Sequence, residues 1–335
     1  MAKRQLVAGL IGAGRIGKMH GENILAHMPD VFLKAVADPK LDFSWAESVG
    51  IPKCFKDAKT LLKDRDIQAV VIAASTTAHV KLICSAAEAG KDIFCEKPIG
   101  FEPDSIKEAI DAIERCEVKL QVGYNRRFDP DFKRVHDVVQ SGKIGTPHII
   151  KITNRDPARP NIDYVPESGG LFIDFCVHDF DTTRFVSSSN VKEVYAMGAV
   201  LIDPEIGNLG DIDTALISLK LSSGALCIID NSRETHYGYD QQVEVFGSNG
   251  TICAENTSPT HTVLSTSSGV FTEKPYYSFV ERYREAYVSE LREFFNCVHK
   301  GTDPPVTGKD ALAAIKIAVA AECSYKQNRP VRVEP

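Results

Sequence analysis

The segment QLVAGLIGAGRIG, residues 5–17, constrains the fold more than any other part of this chain. An apolar run of strand character ends in Gly12, Ala13, Gly14, Arg15, Ile16 and Gly17, and a charged helical pattern follows. Three glycines at this spacing allow a tight turn, close approach of the backbone to a pyrophosphate, and close packing of helix on strand. The helix that starts there offers unpaired N–H groups and a partial positive charge to phosphates. The glycine pattern alone is common. Here a strand precedes it, a helix follows it, and Asp38 closes the second apolar run about 20 residues further on. Together these predict a dinucleotide site on Gly12, Gly14, Arg15, Ile16, Gly17 and Asp38. A carboxylate at Asp38 accepts hydrogen bonds from the adenosine 2′-hydroxyl and repels a 2′-phosphate, which favours NAD over NADP. The adjoining Lys40 works against that preference.

The first part of the chain continues the same alternation. Apolar runs at 5–12, 32–38, 69–75, 92–97 and 119–124 are separated by helical patterns beginning near Ile16, Ser44, Ala78 and Pro103. Near-continuous apolar strands alternating with helices predict an α/β Rossmann domain over 1–124, its parallel sheet covered on both faces. After residue 125 the pattern changes to alternating residues around short turns, in 213–234, 241–256 and 261–273. Hairpins imply antiparallel neighbours, so 125–335 is expected to be an α+β domain built on an antiparallel sheet. Near the end, Phe279, Tyr283, Tyr287, Leu291, Phe294 and Val298 recur at helical spacing. Such a stripe belongs to a core or a subunit interface, and this helix could pack back on the first domain.

Composition narrows the class. A chain of 335 residues has room for two domains, and 43% hydrophobic with 25% charged residues is an ordinary globular mixture. A net charge of −6 without a basic patch disfavours nucleic acid and anionic membranes as partners. No apolar stretch is long enough to span a bilayer. The basic start MAKR is like the beginning of a signal peptide, but its apolar run contains the glycine turn and reads as a strand. Nine cysteines without a CxxC pair fit reduced thiols in the cytoplasm better than disulfides or a zinc site. Cys176 reads as a small buried hydrophobe rather than a nucleophile.

Ligands of open α/β sheets bind beyond the carboxyl ends of the strands. STTAH (75–79), CEKP (95–98) and GYNRRF (123–128) fall there, which brings Ser75, Thr76, His79, Glu96 and Lys97 towards the cofactor. Taken alone, Lys97 is either a functional cation or a solvated charge at a strand end. The stretch SGGLFIDFCVHDFD, 168–181, is apolar and helical apart from Asp174, His178, Asp179 and Asp181. Asp174 and His178 are four apart, so one helix face carries both, whereas Asp179 is rotated away. A carboxylate beside an imidazole suits a general base. Taken alone, it better suits a structural histidine satisfied by a nearby acid.

GAGRIG, CEKP, GYNRRFD and SGGLFIDFCVHDFD, in that order, resemble the GFO/IDH/MocA oxidoreductase family. The longer match through ITNRDP, GDIDTA, IDNSRE and YGYDQQVEVFGSNG resembles its inositol 2-dehydrogenase branch. The resemblance implies a Rossmann domain followed by an α+β domain with a large, mostly antiparallel open sheet, assembled as a homotetramer. It implies metal-free, NAD-dependent oxidation of myo-inositol at C2, with Lys97, Asp174 and His178 as the catalytic set. His178 is then the general base, Lys97 orients the reacting oxygen, and Asp174 pairs with His178 and binds the polyol. Arg126, Asp156 and Tyr239 fall in stretches that line the substrate pocket of the family. Two places depart from the family pattern: Arg159 and Asn161 in DPARPN, and Phe175-Cys176. Both bear on which polyol is preferred. The alternatives are a dehydrogenase of another polyol or pyranose, such as scyllo-inositol or a glucose-type sugar, and a non-catalytic NAD-binding regulator.

Overall fold

The computed structural model describes residues 5–334. The chain forms two compact units, one reaching to Phe128 and taking in Glu285–Ile315, the other comprising Asp129–Arg284 and the residues from Lys316 onward. The first unit thus takes in, beyond the expected 1–124, part of the C-terminal helices that could pack back on it. The chain returns to the first unit late, as helix packing on that unit's core requires.

In the first unit the elements are β1 (Leu6–Ile11), α1 (Arg15–His27), β2 (Val31–Ala37), α2 (Phe43–Ser48), β3 (Lys53–Phe55), α3 (Ala58–Leu62), β4 (Ala69–Ile72), α4 (Thr76–Glu88), β5 (Asp92–Cys95), α5 (Pro103–Cys116) and β6 (Leu120–Val122). The six strands are all parallel, in the order β3-β2-β1-β4-β5-β6. β4 is buried at every position, as expected of a strand covered on both faces. Strand β3 and helix α3 were not legible as elements, being only three and five residues long.

The second unit contains α6 (Pro130–Gln140), β7 (Pro147–Arg155), α7 (Val165–Ser168), α8 (Val177–Ser187), β8 (Val191–Ala199), α9 (Pro204–Asn208), β9 (Thr214–Leu221), β10 (Leu226–Ser232), β11 (Asp240–Gly247), β12 (Gly250–Ala254), β13 (Val263–Thr266), β14 (Gly269–Thr272) and α10 (Phe279–Arg282). Helices α11 (Arg284–Lys300) and α12 (Gly308–Gln327) and strand β15 (Val331–Arg332) complete the chain. A seven-stranded sheet runs β12-β11-β7-β10-β9-β8-β15, and β13-β14 stand apart as a hairpin. All three expected hairpins form. The sheet is mostly antiparallel, as expected, with β7 and β10 as its one pair of parallel neighbours among the described residues. They are far apart in sequence, so no turn signal announces their pairing. β9 alternates buried and exposed residues along its length, the pattern of a sheet with one open face.

The aromatic stripe is core in both units. Leu291, Phe294 and Phe295 pack among Leu10, Leu33 and Phe94 of the first. Tyr283 meets Phe132 and Tyr239 edge-on in the second. A turn at Tyr283 splits the expected single helix into α10 and α11.

Candidate active site

In the first unit the glycine turn has the geometry a dinucleotide needs. Gly12 has φ +91°, and a Cβ there would lie 2.5 Å from the carbonyl of Ala73. A Cβ on Gly17 would meet the Gly12 carbonyl oxygen at 2.0 Å, so α1 packs directly on the turn. A Cβ on Gly14 would meet nothing within 4 Å, and the backbone is open to approach there. Gly14 and Arg15 are exposed and Ile16 is half-buried. Asp38, just past β2, accepts the Ala13 N–H at 2.7 Å and the Lys40 N–H at 2.7 Å. These bonds fix its carboxylate against the turn. The donor set suits the phosphates and adenosine ribose of NAD.

Beyond β4, Ser75 caps α4 and is exposed, while Thr76 is half-buried. His79 is buried, with Nδ1 2.8 Å from the Pro98 carbonyl and Nε2 2.9 Å from that of Ala74. It fastens the end of β4 to the loop carrying Glu96 and Lys97. Two carbonyls favour a protonated ring, but burial is the larger effect and pushes its pKa down. Glu96 and Lys97 are half-buried beyond β5. Arg126 is buried on a 3₁₀ turn, Asn125–Phe128.

In the second unit the segment read as a continuous helix has a break in it. Leu171–Phe175 is a π-helical turn, closed by Cys176 N–H donating to the Leu171 carbonyl at 3.0 Å, and α8 begins only at Val177. Single π turns frequently mark functional sites. Asp174 lies in the π turn and His178 in the first turn of α8, both half-buried. Tyr164 Oη donates to Asp174 Oδ1 at 3.0 Å, and Arg233 Nη1 lies 3.6 Å from Asp174 Oδ2. Arg233 is 2% exposed, reaches Asp211 at 3.5 Å, and carries its guanidinium over the Phe175 ring. Asp211 also accepts the Leu171 N–H at 2.9 Å, which anchors the start of the π turn.

The neighbouring candidates converge on one end of the large sheet. Asp156 follows β7 and donates its N–H to the Ser232 carbonyl at the end of β10. Asp240 of β11 pairs with Arg155, placing Tyr239 beside that same end. Arg233 follows β10 there, bringing Asp174 with it. Asp179 and Asp181 are buried. Cys176 is buried too, donates to Asn231 Oδ1 at 3.0 Å, and has its thiol pKa pushed well up by burial, which makes it a poor nucleophile. The positions that depart from the family pattern have structural partners: Arg159 pairs with Asp203, and Asn161 accepts the Asp163 N–H.

Sequence reasoning missed Tyr164, Arg233 and Asp211 at this site. Arg233 and Asp211 lie within IDNSRE and GDIDTA, quoted above, but nothing in those strings ties them to Asp174. Among the described residues one further group has metal-binding donor types: His20, Glu96 and Glu290 of the first unit.

Residues 6–124 match the model of the oxidoreductase family with an NAD-binding Rossmann fold, and residues 132–253 match the GFO/IDH/MocA C-terminal domain. The chain is 48% identical to the oxidoreductase YrbE of Bacillus subtilis, covering 99% of this chain and 97% of that one. It is 43% identical to the myo-inositol 2-dehydrogenase of Thermotoga maritima, covering 97% and 98%. The solved scyllo-inositol dehydrogenase of Lactobacillus casei, with bound NAD(H) and scyllo-inositol, superposes with a TM-score of 0.92 at 28% identity, covering 98% and 99%. With both of its domains matched and relatives this similar along nearly its whole length, the chain belongs to the GFO/IDH/MocA oxidoreductase family and is an NAD-dependent oxidoreductase.

Proposed function

We propose that this enzyme oxidises myo-inositol at C2 to 2-keto-myo-inositol. The observation that carries the reading is the held carboxylate of Asp174. A hydroxyl and a guanidinium fix it one helical turn before His178, at the sheet end that also bears Asp156 and Tyr239. His178 takes the proton of the reacting hydroxyl. Lys97 orients the substrate oxygen and stabilises the negative charge that develops on it. Asp174 pairs with His178 and accepts hydrogen bonds from the polyol, and Arg126, Asp156 and Tyr239 bind further hydroxyls. NAD, when bound, supplies the acceptor for the hydride that leaves the same carbon. Gly12, Gly14, Arg15, Ile16, Gly17 and Asp38 hold its phosphates and adenosine ribose, with Ser75, Thr76, His79, Glu96 and Lys97 nearer the nicotinamide.

The test is NAD reduction across a panel of myo-inositol, scyllo-inositol and pyranoses. myo-Inositol is expected to give the highest kcat/KM. Faster turnover of a pyranose would overturn the reading. Faster turnover of scyllo-inositol would favour the second reading, which the L. casei relative supports. NAD binding without turnover of any of these would overturn both readings.

The reading extends to assembly and location. Ile149, Phe246, Leu226, Ile228, Leu216 and Met197 are exposed on five adjacent strands, a face suited to a homotetramer. Among the described residues no helix is long and apolar enough to cross a membrane. All nine cysteines are free thiols, which suits the cytoplasm.

A further inference from the structure

The interior of the first unit holds a polar group that hydride transfer does not use. His20 lies on α1, Glu96 follows β5, and Glu290 sits on α11; an imidazole nitrogen and an oxygen of each carboxyl fall within 4.8 Å of one another. His20 and Glu290 are 0% exposed. His20 Nε2 donates to Glu96 Oε1 at 2.7 Å, and Glu96 Oε2 accepts the backbone N–H of Lys97 at 3.2 Å. Both carboxyl oxygens of Glu290 are buried without a hydrogen-bond partner. Phe94 and Tyr287 meet the His20 ring edge-on at 5.3 Å and 5.8 Å. Gln121 donates to the backbone carbonyl of Glu290 at 2.7 Å and fixes that turn of α11.

Two adjacent carboxyls in such surroundings do not both ionise, because each charge loses water and repels the other. The proton goes to the one with fewer donors. Glu96 has an imidazole N–H and a backbone N–H to stabilise its charge, whereas Glu290 has neither. Burial first, and then the charge of Glu96, push the Glu290 pKa well above the usual carboxylate range. A cation could also neutralise the group, since the three side chains offer metal-binding donor atoms within reach of one another, and the experiment below tests for one.

We propose that Glu290 is a positioning residue of the dehydrogenase, a neutral carboxylic acid that backs the Glu96–His20 pair and thereby fixes the backbone from which Lys97 projects. The group ties together four pieces of the first unit. His20 comes from the helix that starts at the dinucleotide turn, Glu96 from the chain leading to Lys97, and Glu290 from α11. Gly123, just past β6, is the fourth: a Cβ there would lie 3.1 Å from Glu96 Oε2, so the carboxylate rests on its bare backbone. Glu290 is sealed from solvent and contributes no contact to substrate. It acts through Glu96. The functional part of this inference rests on Lys97 being a residue of the reaction.

Glu290→Ala and Glu290→Gln in the full-length enzyme test it, read by kcat, KM, NAD affinity and infrared spectra at pH 8. Glu290→Ala is expected to lower kcat by about ten- to a hundredfold, through misplaced Lys97, with NAD affinity unchanged. Glu290→Gln, neutral and of the same shape, restores most of that loss. The wild-type spectrum contains a protonated-carboxyl band that shifts in D2O and is missing from Glu290→Gln. The proposal is overturned if Glu290→Gln is as slow as Glu290→Ala, if both variants keep full kcat, if no such band exists, or if the purified protein carries a stoichiometric metal ion that both variants lose. If Glu290→Ala does not fold, the band and the kcat of Glu290→Gln still decide. Lys97→Ala separates the two readings: full activity in that variant refutes the role of Lys97, while the infrared band continues to report on Glu290.

Discussion

Asn154 holds both oxygens of the Asp179 carboxylate, with its Nδ2 at 3.1 Å and 2.8 Å. Asn231 adds a bond at 2.8 Å, and Gln241 donates to Asn154 Oδ1 at 2.5 Å. These three amides stand in register on adjacent strands β10, β7 and β11, since Asn154 pairs with both Asn231 and Gln241. They form a polar ladder beneath α8, the helix that begins beside His178. Removing the carboxylate strands two buried amides at once. Asp179→Ala is expected to destabilise the protein by about 2–4 kcal/mol in urea unfolding, and kcat falls because α8 loses its anchor. Unfolding stability unchanged from wild type would show that the ladder does not need its anion.

His178 and Asp179 are neighbours with opposite expected effects. His178→Ala leaves the ladder intact, so stability changes little. If His178 is the base, kcat drops by a factor on the order of 10² to 10⁴ while NAD affinity is preserved. Titration of NADH fluorescence beside steady-state kinetics separates the two. A collapse of cofactor binding would make His178 a structural residue.

Much of this was legible because local sequence carries local geometry. Gly12, Gly17 and Asp38 announce the dinucleotide turn because each requirement of that turn is met within one βαβ segment. The buried Asn154, Asn231 and Gln241 were visible only as polar residues at inward positions of alternating strands. That they align depends on the parallel pairing of β7 with β10, a long-range contact that no turn residue encodes. Arg233 could not be assigned for the same reason: its partner Asp174 lies far away in sequence. The π turn at Leu171–Phe175 was hidden because apolar spacing alone does not distinguish a π turn from an α turn.

Asp38 is held at the glycine turn and is proposed to bind the adenosine ribose, and its substitution separates the two roles. Its carboxylate accepts the Ala13 N–H at the glycine turn and can accept a ribose hydroxyl as well. Asp38→Ala is expected to raise KM for NAD by about 10- to 100-fold, the worth of a hydrogen bond to a charged group. Use of NADP improves relative to NAD because the repulsion is gone. Unchanged selectivity would mean that Asp38 serves the turn alone.

His79 makes stability depend on pH. Burial holds its pKa below the ordinary value in the fold, while the unfolded chain takes up the proton near about 6.5. Between those two values the unfolded state binds more protons, so stability falls as pH drops through about 6.5 and is regained above it. The melting temperature of wild type is expected to fall from pH 7.5 to pH 5.5 by more than that of His79→Gln, whose amide does not titrate. Parallel pH profiles for the two proteins would place the acid sensitivity elsewhere.

The open face of the large sheet gives a test of assembly that leaves the chemistry alone. Leu226 pairs with Ile149, which pairs in turn with Phe246, and Leu216 pairs with Met197, so exposed apolar side chains lie side by side across the strands. Their exposure runs from 40% for Ile149 to 53% for Leu226. Covering such a surface with a second copy removes apolar area from water, whereas one buried ammonium there opposes association. If the proposed tetramer forms through this face, Ile228→Lys is expected to shift it to smaller species by light scattering, with the far-UV spectrum unchanged because the side chain projects away from its own core. A tetramer that survives this substitution would have its interface on another surface.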